Sequence, residues 1–252
     1  MDEYLYRYIS FESFVDLIQT KELAFCLPFI WDDTKEMYAY KEAILKMDNA
    51  YARILLFSSL YNIYAQCWTK LDESDAMWRI YNYSNMTIRI KVKREKFKLL
   101  GKNIEIKDVE YIDNFQEKIE NSSDDLINLL ALKRKAFSHE KEVRIIDFYR
   151  FTMEDAKDRL KTMMILFDDK MRWDYFKDRD EKEIEKIVTK YVNKTNANMK
   201  KNIKRISFSH IDDFIEDVML HPLSPQWFVD TVEKYCQLNN IKFVGKSKLY
   251  ED

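Results

Sequence analysis

Glycine is the residue that this sequence most nearly lacks, with only Gly101 and Gly245 among 252 residues. Dinucleotide-binding fingerprints and phosphate-binding P-loops both need clustered glycines, because the backbone must approach a phosphate closely there. Two isolated glycines therefore argue against doubly wound nucleotide-binding folds of those types.

Histidine and cysteine are also scarce, with three of each. Cys26, Cys67 and Cys236 are far apart, so they show no paired zinc spacing, and an odd number does not suit a disulfide framework. This usage predicts a reducing cytoplasm. No Ser has the flanking glycines of a hydrolase elbow. Cys67 with one of the histidines is an alternative thiol nucleophile, although a Cys on an apolar strand is more often a small hydrophobe.

Long apolar runs are absent too. No stretch of about 18 apolar residues occurs, and the N-terminus lacks a basic start, so we predict neither a membrane-spanning helix nor a signal peptide. The 42 Lys and Arg nearly balance the 44 Asp and Glu, and a net charge of −2 does not indicate general affinity for nucleic acid. Hydrophobic residues make up 46% and aromatic residues 15%, enough for a sizeable core.

Hydrophobic periodicity predicts alternating short strands and helices. We expect helices at 11–20, from 33 or 34 to about 60, and at 72–84, 113–135 and 224–240. We expect strands at 4–10, 22–29, 64–70, 86–92, 104–112, 141–151, 205–211, 215–222 and 241–250. In the last helix Ser224 is expected to cap the first turn, and the residues expected to face inward are Trp227, Val229, Val232 and Tyr235.

Residues 152–204 differ from the rest because they hold charge-rich helical runs. We interpret them as a helical insertion, with a lid or a partner-binding arm as alternatives. The order of elements predicts an α+β fold with mixed, mostly antiparallel sheets and flanking helices. Residues 1–252 are assigned to a single domain that contains the insertion.

The stretch KRKAFSHEKEVRIID, residues 133–147, concentrates charge before a predicted strand. Alternation along that strand places Glu140, Glu142 and Arg144 on one face. The pattern is typical of a cross-strand salt bridge, and the alternative is a catalytic carboxylate held by its neighbours. In the second interpretation Glu142 carries the chemistry, Glu140 supplies supporting electrostatics and Arg144 keeps a carboxylate ionised.

Two other charge groups leave alternatives open. A basic, aromatic-lined groove would make the protein a non-enzymatic module that binds nucleic acid or a protein partner. Its cations would be Lys133, Arg134, Lys135, Lys141, Arg144 and those of the segment 201–205. A divalent ion held by carboxylates would instead make it a nuclease. The carboxylates for that site would be Asp32, Asp33, Glu140 and Glu142.

Several segments resemble the bacterial DUF2971 family from about residue 5 to 250. They are an N-terminal LYRYIS, a degraded FIWDDTKE, QCWTKLDESDAMWRIYNYSNMTIRI, KRKAFSHEKEVRI and the C-terminal LHPLSPQWFVDTV. ESDAMWRIY and HEKEVRI are the most specific. Departures include Phe137 in place of the usual Trp, and Asn85 and His221 where Gly is common. Members often occur near phage-defence genes, so the resemblance implies an abortive-infection or toxin-like role.

The order of three residues also resembles the ADP-ribosyltransferases, which place an Arg or His on a first strand, a Ser, Thr or Tyr on a middle strand and a Glu on a late strand. Here these are Arg7, Thr69 and Glu142. The resemblance implies NAD as the substrate. Arg7 would hold a phosphate or ribose, and Thr69 would orient the nicotinamide-bearing part. Glu142 would stabilise the oxocarbenium-like charge as nicotinamide leaves.

Further residues would complete such a cleft. Tyr8, Trp68 and Trp78 are candidates to stack on the nicotinamide or adenine ring. Lys135 is a candidate substrate-binding cation. A lone mid-strand Arg such as Arg7 usually marks a solvent face or an ion pair, so the decisive question is whether Arg7 and Glu142 face one cavity.

Overall fold

The computed structural model describes residues 3–31, 33, 35–46, 63–121, 126–148, 202–209 and 214–251. Its helices and its mixed, mostly antiparallel sheet confirm the predicted α+β class. Most of the predicted insertion lies outside these residues, so the insertion and the single-domain assignment stay predictions. The end of that segment differs from the prediction, because a strand begins at Ile203.

The elements follow one another in the order below. They are β1 (Tyr4–Ile9), α1 (Phe11–Thr20), β2 (Glu22–Cys26), α2 (Tyr38–Leu45), β3 (Tyr64–Thr69), α3 (Asp75–Ile80), β4 (Ile88–Lys93), β5 (Ile104–Asp108), β6 (Glu110–Ile112), α4 (Phe115–Asn121), α5 (Leu126–Leu129), β7 (Leu132–Arg134), β8 (Glu142–Asp147), β9 (Ile203–Ser207), β10 (Asp217–Leu220), α6 (Gln226–Leu238) and β11 (Phe243–Lys246). Short 3-10 helices occupy Pro28–Ile30, Arg94–Leu100 and Lys135–Glu140.

Among the described residues the main sheet has nine strands, and it forks at β3. One edge of β3 pairs along its whole length with β8, which pairs in turn with β5. The other edge meets β1 only where Tyr6 lies opposite Thr69, and meets β2 only where Cys26 lies opposite Ala65. Strands β4, β10 and β11 continue from β1, and β9 continues from β2. The sheet therefore opens beside the middle of β3.

Local sequence explains why helix α1 begins and ends where it does, beside this opening. Ser10 caps α1, because its hydroxyl accepts a hydrogen bond from the Ser13 amide at 3.2 Å. Phe14, Leu17 and Ile18 recur at helical spacing and are buried. Lys21 takes a left-handed conformation and ends the helix. Strand β1 therefore runs directly into a well-marked helix start at the fork.

Apolar clusters cover both faces of the sheet. One contains Leu5, Ile9, Trp68, Val143 and Ile145, together with residues of α1 and α6. The other contains Ala65 and Ile146, packed by α2, α4 and α5. Strand β8 is consequently buried along its whole length, and its charged face is not a solvent face. Burial on both sides explains why the Glu142 and Arg144 side chains must find partners inside the protein.

Three predicted elements need correction. The expected strand 104–112 is two strands, and only β5 joins the main sheet, whereas β6 pairs in parallel with β7. The expected helix 113–135 ends early, because Leu132–Arg134 forms that partner strand. The helix expected at 72–84 covers only Asp75–Ile80. Of the long helix expected up to about residue 60, Tyr38–Leu45 is helical and 47–62 lie outside the described residues.

Helix α6 forms as predicted, and Val232 and the partly buried Val229 and Tyr235 pack against the core as expected. Pro225, and not the expected Ser224, is its N-cap residue, and the buried positions are Phe228, Val232 and Cys236. Trp227 is 61% exposed, so the expectation that it faces inward was wrong. Its position one residue from Phe228 puts it about 100° away around the helix.

This difference predicts contrasting stabilities. Phe228→Ala should lower the free energy of unfolding by about 3–5 kcal/mol, because it leaves a cavity in the main core. Trp227→Ala should change it by about 0.5 kcal/mol, because most of the side chain already contacts water. Urea denaturation of both variants checks this, and equal losses would contradict the assigned face.

Candidate active site

A cavity of about 180 Å³ lies at the fork of the sheet. It is bounded by β1, the first turn of α1, β3, α3 and the approach to β8. Its lining residues are Tyr6, Arg7, Tyr8, Ile9, Ser13, Cys67, Trp68, Thr69, Met77, Tyr81, Tyr83, Glu140 and Glu142. Arg7, Thr69 and Glu142, far apart in sequence, therefore line one cavity.

Arg7 is a cation of this cavity that has no partner among the described residues. It is half-buried in the middle of β1, between the buried Leu5 and Ile9. Within the described part of the chain its guanidinium makes no hydrogen bond or ion pair, so it lies neither on an open solvent face nor in a salt bridge. Removal from water lowers its pKa from the ordinary value. A cation kept partly from water without a partner costs stability, which makes it a candidate for ligand binding.

Glu142 is the anion of the cavity. Its Oε1 accepts a hydrogen bond from Arg144 Nε and its Oε2 from Lys133 Nζ, both at 2.8 Å. Burial alone would raise its pKa, but the charges of Arg144 and Lys133 outweigh burial and lower the pKa to about 2. The Glu142 amide also donates to the Tyr111 hydroxyl at 2.7 Å. Glu142 is thus a rigidly held carboxylate that stays ionised at neutral pH.

A buried network of charges surrounds Glu142. Lys133 Nζ lies 2.6 Å from Glu140 Oε2 and 3.3 Å from Glu36 Oε1. Arg144 also binds Glu36, and it donates to the Leu130 carbonyl at 2.7 Å. Three carboxylates against two cations leave the network with a formal charge of −1. The salt-bridge interpretation of Glu142 and Arg144 therefore holds, although the pair lies within one strand rather than between strands.

Thr69 lines the cavity, but its hydroxyl is already engaged. It lies opposite Glu142 in the ladder between β3 and β8. The hydroxyl donates to the Glu140 carbonyl at 2.6 Å and accepts from the Leu71 amide at 3.0 Å. Thr69 therefore holds the backbone of Glu140 in place, and a contact with a ligand would have to compete with these bonds.

The three aromatic residues expected to stack on a ligand differ in their positions. Tyr8 and Trp68 line the cavity, although the Tyr8 hydroxyl donates to the Asp72 carbonyl and Trp68 Nε1 donates to Gln66 Oε1. Trp78 is 0% exposed and packs edge-on against Tyr8 at 4.6 Å. Its expected stacking on a ligand is corrected to a role in the core, because residues of the sheet and of α3 cover it.

Sequence reasoning missed several lining residues, chiefly Tyr6, Tyr81 and Met77. Met77 and Tyr81 belong to ESDAMWRIY, one of the two most specific segments of the family resemblance. Their spacing of four residues was therefore the available signal, since it puts both on one side of a helical turn. Tyr6 gave no such signal. In sequence it resembles its neighbours in β1, and only the position of the fork places it at the cavity.

The predicted basic groove does not form as expected. Lys133 and Arg144 are buried in the charge network, so neither can contact a phosphate backbone. Lys135 is exposed and pairs with Asp113 at 3.1 Å, and it does not line the cavity. Arg134 pairs with Asp33 at 3.0 Å. The expected role of Lys135 in binding the substrate is thus not supported by its position.

The thiol and metal alternatives have little support in the described part of the chain. Burial, and then the charge of Glu142, raise the pKa of Cys67 well above its ordinary value, which disfavours a thiolate nucleophile. No group of three or more His, Cys, Asp or Glu among the described residues could hold a metal ion. Asp32 lies outside those residues.

Two further findings do not concern the cavity. The helices within the described ranges are all too short or too polar to cross a membrane. Comparison with family models, with curated proteins and with solved structures finds no match for this chain.

Proposed function

We propose that the cavity at the fork binds NAD and cleaves the bond between nicotinamide and ribose, either passing ADP-ribose to water or transferring it to a target. One observation supports this proposal above the others. Arg7, a cation without a partner among the described residues, and Glu142, an ionised carboxylate, line one cavity from strands on the two sides of β3. NAD carries anionic phosphates and a cationic nicotinamide ring, so its charges complement both.

Arg7 would bind the phosphate end. Its planar guanidinium offers parallel N–H groups that fit two phosphate oxygens, and no described carboxylate competes for them. Because the pairing is made only when the ligand is present, the free energy of this contact contributes to binding rather than to folding. The phosphate contact would also set how deeply the ribose enters the cavity.

Glu142 would act at the glycosidic carbon. When the carbon–nitrogen bond breaks, its electron pair leaves with nicotinamide, whose ring becomes neutral, and the ribose becomes an oxocarbenium-like cation. The fixed charge of Glu142 stabilises that cation. The oxygen of water, or of an acceptor, then adds to the carbon and releases a proton.

The state of the carboxylates suits this chemistry. A neutral leaving group needs no proton from the enzyme, so the reaction can proceed without a general acid. Glu142 is ion-paired with Lys133 and Arg144, and it has a pKa of about 2. Such a group is an electrostatic stabiliser rather than a proton donor. Loss of cellular NAD would also agree with the toxin-like role that the family resemblance implies.

Arg7→Met tests the proposal on binding. NAD affinity should fall about 10- to 100-fold, because a charge-assisted contact is lost. The melting temperature should be unchanged or higher, because an unpaired, half-buried charge is removed from a position between Leu5 and Ile9. Calorimetric titration with NAD and thermal unfolding measure the two quantities.

The matched control is Arg79→Met, which removes an exposed arginine that pairs with Asp75 outside the cavity. It should leave NAD affinity unchanged. Release of nicotinamide from NAD by the unaltered protein, followed by chromatography, tests the reaction itself. Absence of both NAD binding and nicotinamide release would refute the proposed function.

A further inference from the structure

One of the tyrosines that line the cavity has a hydroxyl with no hydrogen-bond partner among the residues that the structure describes. The Tyr8 hydroxyl donates to the Asp72 carbonyl at 2.9 Å, and the Tyr6 hydroxyl is hydrogen-bonded to the Asp72 side chain. Tyr83 is 44% exposed at the edge of the cavity. Tyr81, by contrast, makes no side-chain hydrogen bond to any residue that the structure describes, although it is partly buried.

Contacts that do not involve this hydroxyl hold Tyr81 in place. Its amide donates to the Met77 carbonyl at 3.1 Å, and its carbonyl accepts a hydrogen bond from the Thr87 hydroxyl. Its ring stacks on Tyr8, with centroids 6.3 Å apart and planes 18° apart. These contacts orient the Tyr81 hydroxyl, which has no partner among the described residues. The hydroxyl is therefore preorganised to donate a hydrogen bond to an acceptor on a ligand.

The surroundings of Tyr81 indicate which part of a ligand it would meet. It interacts electrostatically with Arg7 and also with Glu140 and Glu142. Tyr81 therefore lines the same cavity as both charged groups. Burial, and then the neighbouring Cys67 and carboxylates, raise its pKa to about 12, so it remains a protonated donor at neutral pH.

We propose that Tyr81 donates a hydrogen bond to an oxygen of the ribose that carries nicotinamide, and that it thereby selects ligands with a ribose at this position. This inference rests on the proposed function. In NAD this ribose lies between the phosphates, which Arg7 would bind, and the glycosidic bond, which Glu142 would face. Tyr81 is thus a specificity-determining contact in addition to Arg7, Thr69 and Glu142.

The test compares Tyr81→Phe with its parent for three ligands, in a Glu142→Gln background that slows turnover. Tyr81→Phe keeps the ring that stacks on Tyr8 and removes only the hydroxyl, so folding should be preserved. Affinity for NAD and for ADP-ribose should each fall about tenfold, the loss of one hydrogen bond in a partly buried site. Affinity for nicotinamide alone should not change. Isothermal titration calorimetry measures all three.

Tyr4→Phe is the control. Tyr4 lies on the same face of β1 as the cavity residues Tyr6 and Tyr8, but it does not line the cavity. It should alter none of the affinities. Equal affinities of the Tyr81→Phe protein and its parent would overturn the role of Tyr81. A loss for NAD but not for ADP-ribose would move the contact to the nicotinamide ring and overturn the ribose assignment. If neither the unaltered protein nor its variants bind NAD or ADP-ribose, the proposed function itself fails.

Discussion

Glu142→Gln is expected to slow the release of nicotinamide from NAD by about 10²–10³-fold, the usual cost of removing one preorganised electrostatic group from an active site. The substitution keeps the shape of the side chain and removes its charge. The oxocarbenium-like cation would then face a neutral amide in place of a carboxylate. NAD binding should change far less, because Arg7 would supply the phosphate contact. The expected effect is therefore on kcat rather than on KM.

The charge network explains why the Gln variant should still fold. Removing one carboxylate leaves Glu36 and Glu140 against Lys133 and Arg144, which is a neutral set. Glu110→Gln is the control, since Glu110 is an exposed carboxylate that pairs with Lys118. It should leave the rate unchanged. A folded Glu142→Gln protein with the full rate would show that Glu142 has only a structural role.

Arg144→Met is expected to lower the free energy of unfolding by about 3–5 kcal/mol, because it breaks a buried ion-pair network by removing one partner. Arg144 is 0% exposed and contacts Glu36, Glu142 and the Leu130 carbonyl. Its loss leaves three carboxylates against Lys133 alone. Denaturation in urea measures the change.

A double variant separates charge imbalance from lost packing. Adding Glu36→Gln to Arg144→Met removes one of the uncompensated carboxylates, so part of the stability should return. Arg79→Met, at an exposed and ion-paired arginine, should leave stability nearly unchanged. A double variant no more stable than Arg144→Met would mean that packing against the Trp31 ring, 4.4 Å from the guanidinium, dominates.

The same network sets a pH dependence of stability. The pKa of Glu142 falls from an ordinary value of 4.5 to about 2 in the folded protein. Its contribution to stability is therefore present above pH 4.5 and is lost as the pH falls toward 2. Arg144→Met removes the largest charge that lowers this pKa, so acid unfolding of that variant should begin at a higher pH.

Local patterns were sufficient for many of the elements. Strand β1, helix α1 with its Ser10 cap, strand β3 and strand β8 follow from alternation, helical spacing and capping chemistry within a few residues. The α+β class follows from their order. Patterns failed where long-range pairing decides, as at Leu132–Arg134, which forms a strand only because β6 lies beside it.

For the candidate site, too, local sequence accounts for some features and long-range contacts for the others. The sequence by itself determined the order of Arg7, Thr69 and Glu142, the alternation that puts Glu142 and Arg144 on one face of a strand, and the lack of glycine loops. Only the tertiary structure decided that the sheet forks beside β3, that Lys133 and Arg144 are buried, and that Arg7 has no partner in the described chain. The reason is physical. Alternation and capping depend on near neighbours, whereas burial and strand pairing depend on contacts between segments that are distant in sequence.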